Sequence, residues 1–227
     1  MTNIGEAFSF PFKDPNWLTK FLVGAVFIIL SFILIGIPVL YGYCIELVQR
    51  VRRREQFPLP EWNEPGVKFI VGAKFLIALF VYYVPLVIIM IPVVFLFILS
   101  SFHVSDFAEV LGSAALLSMI FLFVIPYSLF ITWLTPIICV RFAERESIGD
   151  ALQLGKVFYL FKLRWQDALV AALIAFGVEI LAAVGFIFFV VGILFTNFYA
   201  HLIRFHLYGQ IAQAVEESRS IPVPQAS

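Results

Sequence analysis

The fold is decided by the stretch from Phe69 to Phe102, which reads FIVGAKFLIALFVYYVPLVIIMIPVVFLFILSSF and carries Lys74 as its one charged residue. A helix of about 20 apolar residues crosses the hydrocarbon core of a bilayer, and this stretch is longer than that. Four more stretches are similarly apolar, namely Leu18–Tyr43, Leu111–Val140, Ala168–Val191 and Ile193–Gly209. Because a backbone in lipid must satisfy its own hydrogen bonds, we predict an all-α, polytopic transmembrane helical bundle of about five membrane segments, or six.

The composition agrees with a lipid solvent. Hydrophobic residues make up 62% of the 227 and charged residues 13%, whereas soluble domains lie near half and a quarter. The formal net charge is 0, so no global charge attracts nucleic acid, and we predict no such partner. No hydrophilic segment is long enough for a second core. We therefore predict a single transmembrane helical domain over residues 1–216 and a flexible polar tail over 217–227.

The loops between the apolar stretches differ in charge. Loops 46–68 and 141–167 are both rich in Lys and Arg, whereas the link 103–109 contains neither. Basic loops stay on the cytoplasmic side of a membrane. We therefore predict that loops 46–68 and 141–167 face the cytoplasm and that the link faces the outside.

The N-terminal segment, residues 1–17, mixes aromatic side chains with charges and two prolines. We predict an interfacial segment, with Trp17 as an anchor, that leads into the first membrane helix. Pro38 interrupts the first apolar stretch, which therefore forms either a kinked single crossing, the alternative we favour, or a re-entrant hairpin. The single crossing places the N-terminus outside, whereas the hairpin places it inside, the side that suits Lys13 and Lys20.

Residues from about 146 to 164 differ from the membrane stretches because apolar and basic side chains are interleaved at helical spacing. Ser147 is a candidate N-cap for this segment. We predict an amphipathic helix in the cytoplasmic interface, with Tyr159 and Trp165 as interfacial anchors. Packing of the same helix on the protein's own cytosolic end is an alternative, and the two are compatible.

Glu179 is an ionisable residue near the middle of the fourth apolar stretch, where it needs a partner or a purpose. Small residues share its helical face and allow a second helix to approach closely. These residues are Ala168, Ala172, Ala175 and Ala182. One face of the fifth stretch carries polar side chains, namely Asn197, His201, Arg204 and Tyr208.

These two faces predict an intramembrane polar cluster. If the outer turn lies near Val191–Gly192, Glu179 and Arg204 are equally far from it, and antiparallel helices place them at the same depth. We therefore predict a Glu179–Arg204 ion pair, with His201 and Asn197 one and two turns toward the outside. The pair either holds two helices together, which we favour, or forms part of a proton or ion relay or of a ligand pocket.

The sequence contains no glycine-rich phosphate loop, Cys-x-x-Cys pair, zinc-protease motif or serine elbow. We therefore predict no catalytic residue, no cofactor and no metal site. The favoured function is a non-catalytic accessory or scaffold subunit that lies in the lipid bilayer and binds lipid or another membrane protein, or self-associates. The alternative is a small-solute or ion transporter that uses the polar cluster and proline-kinked helices. The prolines concerned are Pro85, Pro92, Pro126 and Pro136.

Three strings carry a family resemblance. They are Ala7-Phe-Ser-Phe-Pro-Phe-Lys-Asp-Pro-Asn-Trp-Leu-Thr-Lys20, Pro58-Leu-Pro-Glu-Trp62 with the following Gly66…Gly72-x-Lys74, and His206-Leu-Tyr-Gly-Gln210. Together they resemble, over nearly the whole chain, the prokaryotic integral-membrane family catalogued as domain of unknown function 4013. The resemblance implies a small multi-helix protein of a bacterial or archaeal plasma (inner) membrane, with no established biochemical role and no family active site.

The first two strings also admit a physical interpretation. Both combine prolines, aromatic side chains and a carboxylate beside a membrane helix. If the N-terminus lies inside, both strings share the cytoplasmic face, where Trp17 and Trp62 anchor a common interfacial platform. Two unrelated helix caps are the alternative.

Overall fold

The computed structural model describes residues 3–102, 113–114, 116–184 and 189–220. Within these ranges the chain forms helices and no β-strand, which confirms the all-α prediction. Three helical segments are long and apolar enough to cross a membrane, or four when one bent pair counts as a span. They are Pro65–Pro92, Leu116–Arg145 and Leu154–Ala183, with the bent pair Ile4–Lys13 and Trp17–Ile33. The five or six membrane segments of the prediction are therefore not confirmed.

The helices are numbered in chain order. They are α1 (Ile4–Ser9), α2 (Trp17–Leu30), α3 (Gly36–Arg52), α4 (Pro65–Phe102), α5 (Ile125–Arg145), α6 (Ile148–Ala151), α7 (Leu154–Val184) and α8 (Phe189–Ser220). The 3₁₀ turns Phe10–Lys13 and Ser31–Ile33 follow α1 and α2. A π-helical turn, Ile120–Val124, ends just before Pro126, whose ring does not fit against the carbonyl four residues earlier in a regular α-helix.

The chain divides into two compact units. The first unit comprises Met1–Ala78 and Leu134–Ser227, and the second unit comprises Leu79–Trp133. The predicted extent of a single domain, residues 1–216, remains a prediction.

Residues 18–43 fold into a helical hairpin, so the favoured single crossing is wrong and the alternative hairpin geometry is present. Phe27 of α2 and Tyr43 of α3 both stack on Trp62, with ring centroids 4.8 and 4.1 Å from it. A continuous helix would hold positions 27 and 43 about 24 Å apart. The two arms therefore lie side by side, and α2 begins at the same end of the hairpin at which α3 ends.

The reversal lies before Pro38 rather than at it. Leu34 follows the 3₁₀ turn of residues 31–33 and has a left-handed φ of 65°. Gly36 then opens α3 with its backbone against the Phe27 carbonyl, where a Cβ would overlap the oxygen. Pro38 lies in the first turn of α3, where its missing N–H leaves no helical bond unmade.

Helix α8 forms the centre of the first unit, since it packs against α1, α2, α3 and α7. Its side chains Phe198, Leu202 and Phe205 are fully buried. This helix is not among the segments that are long and apolar enough to cross a membrane. The span predicted over Ile193–Gly209 is therefore not confirmed, because polar residues interrupt its apolar face.

The small-residue face of α7 is present but differs from the predicted face at two positions. Its buried residues are Ala168, Ala171, Ala175, Val178 and Ala182. This alternation of three and four residues follows the seam between two packed helices. Ala172 and Glu179, which the prediction placed on the face, are half-buried and lie at its edge.

The predicted amphipathic segment 146–164 forms two elements instead of one helix. Ser147 caps α6 as predicted, since its Oγ accepts a hydrogen bond from the Asp150 N–H at 3.4 Å. Helix α6 ends at Ala151, and the remainder of the segment forms the start of α7, which bends at Arg164. The place of this segment at a membrane interface remains a prediction.

Two boundaries differ from those expected. Helix α7 ends at Val184 and α8 begins at Phe189, so Val191–Gly192, where the outer turn was expected, lies inside α8. Residues 217–220 belong to α8, so the first part of the predicted flexible tail is helical. The rest of that tail, 221–227, and the link 103–109 lie outside the described residues.

In the second unit, parts of the helices expose apolar side chains over most of their circumference. In α4, the successive residues Val87, Ile88 and Ile89 are 46, 60 and 42% exposed. Successive side chains of a helix point about 100° apart, so these three span most of its circumference. Phe121, Leu122 and Phe123 are likewise all exposed. Helices α4 and α5 are joined near Pro85, where the Tyr127 hydroxyl donates a hydrogen bond to the Tyr82 carbonyl at 2.6 Å.

Candidate functional site

The predicted ion pair between α7 and α8 is present. Arg204 donates a hydrogen bond from its guanidinium to the Glu179 carboxylate. The side chain of Arg204 is 19% exposed and that of Glu179 is 40% exposed. The Nε of Arg204 is buried and has no hydrogen-bond partner among the described residues. A mostly buried cation and a half-exposed carboxylate therefore link the two helices.

The pair forms although its predicted geometry was wrong. Thr196 donates from Oγ1 to the Ala182 carbonyl oxygen at 3.0 Å, and this contact sets the register of α7 against α8. In antiparallel helices with this register, Glu179 lies opposite position 199, about 7.5 Å along the axis from Arg204. The long arginine side chain spans this offset. Equal depth was therefore not required for the pair to form.

Asn197 and His201 belong to a groove between the α2–α3 hairpin and α8. His201 Nδ1 lies 3.0 Å from the carbonyl oxygen of Asn197, and the imidazole meets the ring of Tyr41 edge-on. The groove has a volume of about 380 Å³. Its lining residues are Ile28, Ser31, Phe32, Ile37, Leu40, Tyr41, Asn197 and His201. We call it the hairpin groove.

The remaining predicted site residues divide into interior and exposed positions. Tyr208 is 2% exposed and packs on its neighbours inside the first unit. Trp62 is held between two rings of the hairpin, and Trp17 packs edge-on against aromatic side chains nearby. Tyr159 and Trp165 are 69 and 44% exposed. Their roles as interfacial anchors remain predictions.

Sequence reasoning missed the buried polar environment of Lys20. Its side chain is 5% exposed, and its Nζ lies 2.8 Å from Asp14, 2.6 Å from Glu61 and 3.0 Å from the Leu59 carbonyl oxygen. We call these four residues the Lys20 cluster. A buried ammonium is stable only when carboxylates and hydrogen bonds replace its water, and this cluster supplies both.

The Lys20 cluster joins the N-terminal string to the Pro58–Trp62 string. The indole N–H of Trp62 donates to the Lys20 carbonyl at 2.8 Å, and the Tyr43 hydroxyl donates to the Pro60 carbonyl at 2.9 Å. The two strings therefore form one packed structure rather than two separate helix caps. The signal in the sequence was their shared content of proline, aromatic residue and carboxylate, with Lys20 between them.

Two further cations are buried in the first unit, and each is paired. Lys68 binds the carboxylate of Glu46. Arg141 binds Glu144 and lies 3.6 Å from Asp150. The buried charges of this unit therefore neutralise one another.

A polar cavity of about 430 Å³ lies where α1 and the loop after α3 meet α8. His206 lines it, is 3% exposed and stacks on Phe10 with 4.2 Å between ring centroids. Burial, with a smaller contribution from the charge of Lys13, lowers the pKa of His206 to about 4. The imidazole is therefore neutral at physiological pH. No group of three or more His, Cys, Asp or Glu side chains within the described ranges is placed to hold a metal ion.

Comparison with known protein families gives a match over most of the chain. The model of a family described as "Protein of unknown function (DUF4013)" matches residues 23–196. This range includes Pro58–Trp62 and Gly66–Lys74, whereas the string ending at Lys20 and the string starting at His206 lie outside it. The resemblance is thus confirmed over that range. No curated protein and no solved structure matches the chain.

Proposed function

The chain belongs to the DUF4013 family, and from its structure we propose that it is a non-catalytic membrane subunit, a scaffold or accessory chain that binds another membrane protein. The family description names no biochemical role, so support must come from the residues of this chain. The observation that carries the proposal is the exposed circumference of the second unit.

Helices α4 and α5 expose much apolar surface to a partner. In the apolar part of Pro65–Pro92 only 17% of the residues are buried, and in that of Leu116–Arg145 only 6%. The corresponding share for Leu154–Ala183 is 33%. Lipid can cover such surface, but lipid tails pack less tightly than a complementary helix does. A second membrane protein, or a second copy of this chain, gains van der Waals contact along either helix.

The charges of the first unit support a structural role. Glu179 and Arg204 bind each other across α7 and α8, and the Lys20 cluster ties the N-terminal segment to the loop after α3. Charged groups that neutralise one another hold helices in register and leave less charge available for a substrate. This use of charge fits a scaffold.

We propose that the protein lies in a prokaryotic plasma membrane, with loops 46–68 and 141–167 on the cytoplasmic side. The support is the excess of Lys and Arg in both loops. The hairpin adds a second argument, because the start of α2 and the end of α3 lie at one end of it. The N-terminal segment and loop 46–68 then share a side.

The test is extraction of the tagged chain from its native membrane in mild detergent, followed by native mass spectrometry. The variants Val87→Trp, Ile88→Trp and Ile89→Trp keep α4 apolar while changing its shape in three directions. The control is Leu173→Trp, since Leu173 is 61% exposed on α7 in the first unit. We expect a stoichiometric partner with the wild type and the control, and at least a tenfold loss of it in one or more α4 variants.

Two results would overturn this proposal. One is a wild-type chain that carries no second polypeptide at any detergent concentration that keeps it folded. The other is loss of the partner to the same extent in the Leu173→Trp control, since the contact would then not lie on α4.

Transport of protons or ions is a second candidate function. The observation in its favour is Glu179, whose carboxylate is 40% exposed within a long apolar helix. Its test is proton flux into liposomes that hold a pH-sensitive dye, with Glu179→Gln as the variant. Flux that exceeds that of empty liposomes and disappears in Glu179→Gln would favour transport over the scaffold role.

A further inference from the structure

The hairpin groove combines apolar walls with a polar end. Phe32 belongs to the 3₁₀ turn of the hairpin and Leu40 to α3, whereas Asn197 and His201 belong to one face of α8. Phe32, at the hairpin tip, is 84% exposed. The groove therefore opens beside the most apolar exposed part of the first unit, where hydrocarbon would enter it if the hairpin lies in a bilayer.

A hydrogen bond to the Asn197 carbonyl defines the tautomer of His201. A carbonyl oxygen only accepts, so the Nδ1 placed 3.0 Å from the Asn197 carbonyl must carry the proton. The tautomer is thus assigned from its partner, and Nε2 of the neutral imidazole is left with a lone pair. Nε2 meets no hydrogen-bond donor among the described residues, which leaves an acceptor available in the groove.

Two other polar side chains of the groove, those of Ser31 and Asn197, also offer hydrogen-bond acceptors. The Ser31 hydroxyl donates to the Phe27 carbonyl at 2.8 Å, so its oxygen can only accept from a ligand. The side-chain amide of Asn197, which has no hydrogen-bond partner in the described part of the chain, supplies one more acceptor and two N–H donors. None of the groove side chains carries a formal charge while His201 is neutral. Such a lining suits a neutral ligand that brings a hydroxyl.

We propose that the hairpin groove binds a neutral lipid with a free hydroxyl group, which donates to His201 Nε2 while the hydrocarbon lies along Phe32 and Leu40. A phospholipid fits less well, because the groove offers no cation to its phosphate. The volume of about 380 Å³ suits the head and the first part of one acyl chain. The site consists of other residues than those on which the scaffold role rests, so it goes beyond that role.

The experiment uses the purified full chain in nanodiscs of phosphatidylcholine. The probe is a diacylglycerol with a photoactivatable diazirine in one acyl chain, compared with its methyl ether, in which a methyl group replaces the hydroxyl proton. We expect saturable crosslinking to peptides that contain residues 28–41 and 197–201. The methyl ether should bind about five- to tenfold more weakly, as expected for the loss of one buried hydrogen bond.

Two variants of one residue test the role of the imidazole. His201→Phe keeps an aromatic ring beside Tyr41 but removes the acceptor, so it should bind the alcohol and the ether equally. His201→Gln restores an acceptor and should recover part of the preference for the alcohol. Leu173→Phe, on the exposed face of α7, should behave as the wild type.

The proposal is overturned if the wild type binds alcohol and ether equally, a comparison that requires no variant to fold. It is also overturned if crosslinking is not saturable and spreads over α4 and α5, since the probe would then only dissolve in the bilayer. Equal crosslinking by a phosphatidylcholine diazirine probe would assign the groove to ordinary membrane lipid instead. None of these results depends on a protein partner, so the scaffold role stands or falls separately.

Discussion

The first unit buries Lys20, Lys68 and Arg141, each against carboxylates, whereas the described part of the second unit contains no charged residue and exposes apolar side chains around its helices. Stability in the first unit therefore depends on particular pairs of groups and on close contacts. Stability in the second unit depends instead on the contacts that its exposed apolar side chains make with their surroundings. Substitutions that alter one contact should distinguish the two kinds of structure.

The largest effect is expected from Lys20→Ala. This change leaves Asp14, which is 4% exposed, as a buried carboxylate without its counter-ion. Removal of one partner from a buried pair destabilises by about 3–5 kcal/mol. Lys74→Ala is the control, because Lys74 is exposed. The measurement is the free energy of unfolding in mixed micelles, and a difference below about 1 kcal/mol between the variants would contradict the importance assigned to the Lys20 cluster.

Truncation of an isoleucine compares the units directly. Ile138 is 0% exposed in the first unit and Ile88 is 60% exposed in the second. Ile138→Ala should lower the free energy of unfolding by about 2–4 kcal/mol, because it leaves a cavity. Ile88→Ala should change it by about 0.5 kcal/mol or less in the isolated chain. Similar losses in both variants would show that the second unit packs as tightly as the first and would contradict the contrast between them.

A smaller effect is expected where α3 crosses α4. A Cβ on Gly72 would overlap the Pro38 carbonyl oxygen, whereas a Cβ on Gly66, in the same helix, would meet nothing within 4 Å. Gly72→Ala should destabilise the chain by about 1–3 kcal/mol through overpacking. Gly66→Ala should be neutral or stabilising by up to about 1 kcal/mol. A tolerated Gly72→Ala would mean that the helices do not approach this closely.

The sequence predicts the long apolar helices, because their stretches of apolar residues are longer than an average helix of a globular protein. It does not predict where those runs reverse. The hairpin turns at Leu34, a non-glycine residue with a left-handed φ that no local propensity favours. Pro38, the residue that would be expected to break the helix, instead lies in the first turn of α3, where a proline is tolerated. Turn position is set by packing on Trp62, which lies in another part of the chain.

In the candidate site, too, one feature was predictable from the sequence and another was not. Helical spacing brought Glu179 and Arg204 to facing sides of α7 and α8, so the pair was predictable despite a wrong turn position. The Lys20 cluster was not predictable in this way, since Glu61 and Leu59 lie about 40 positions from Lys20 and meet it only after the chain has reversed in the hairpin. Periodicity describes one helix at a time and carries no information on such long-range contacts.

The smallest effect is expected when both members of the Glu179–Arg204 pair are replaced. Glu179→Leu alone leaves Arg204, which is 19% exposed, without its carboxylate. Because Glu179 is 40% exposed and already screened, the loss should be about 1–2 kcal/mol, less than for Lys20. In the double variant Glu179→Leu, Arg204→Leu no unpaired charge remains, so its free energy of unfolding should return to within about 1 kcal/mol of the wild type. A double-mutant cycle in micelles measures this coupling. A double variant that keeps this stability but no longer binds its protein partner would contradict a purely structural role of the pair. It would also contradict the view that the charges of the first unit serve only to hold its helices together.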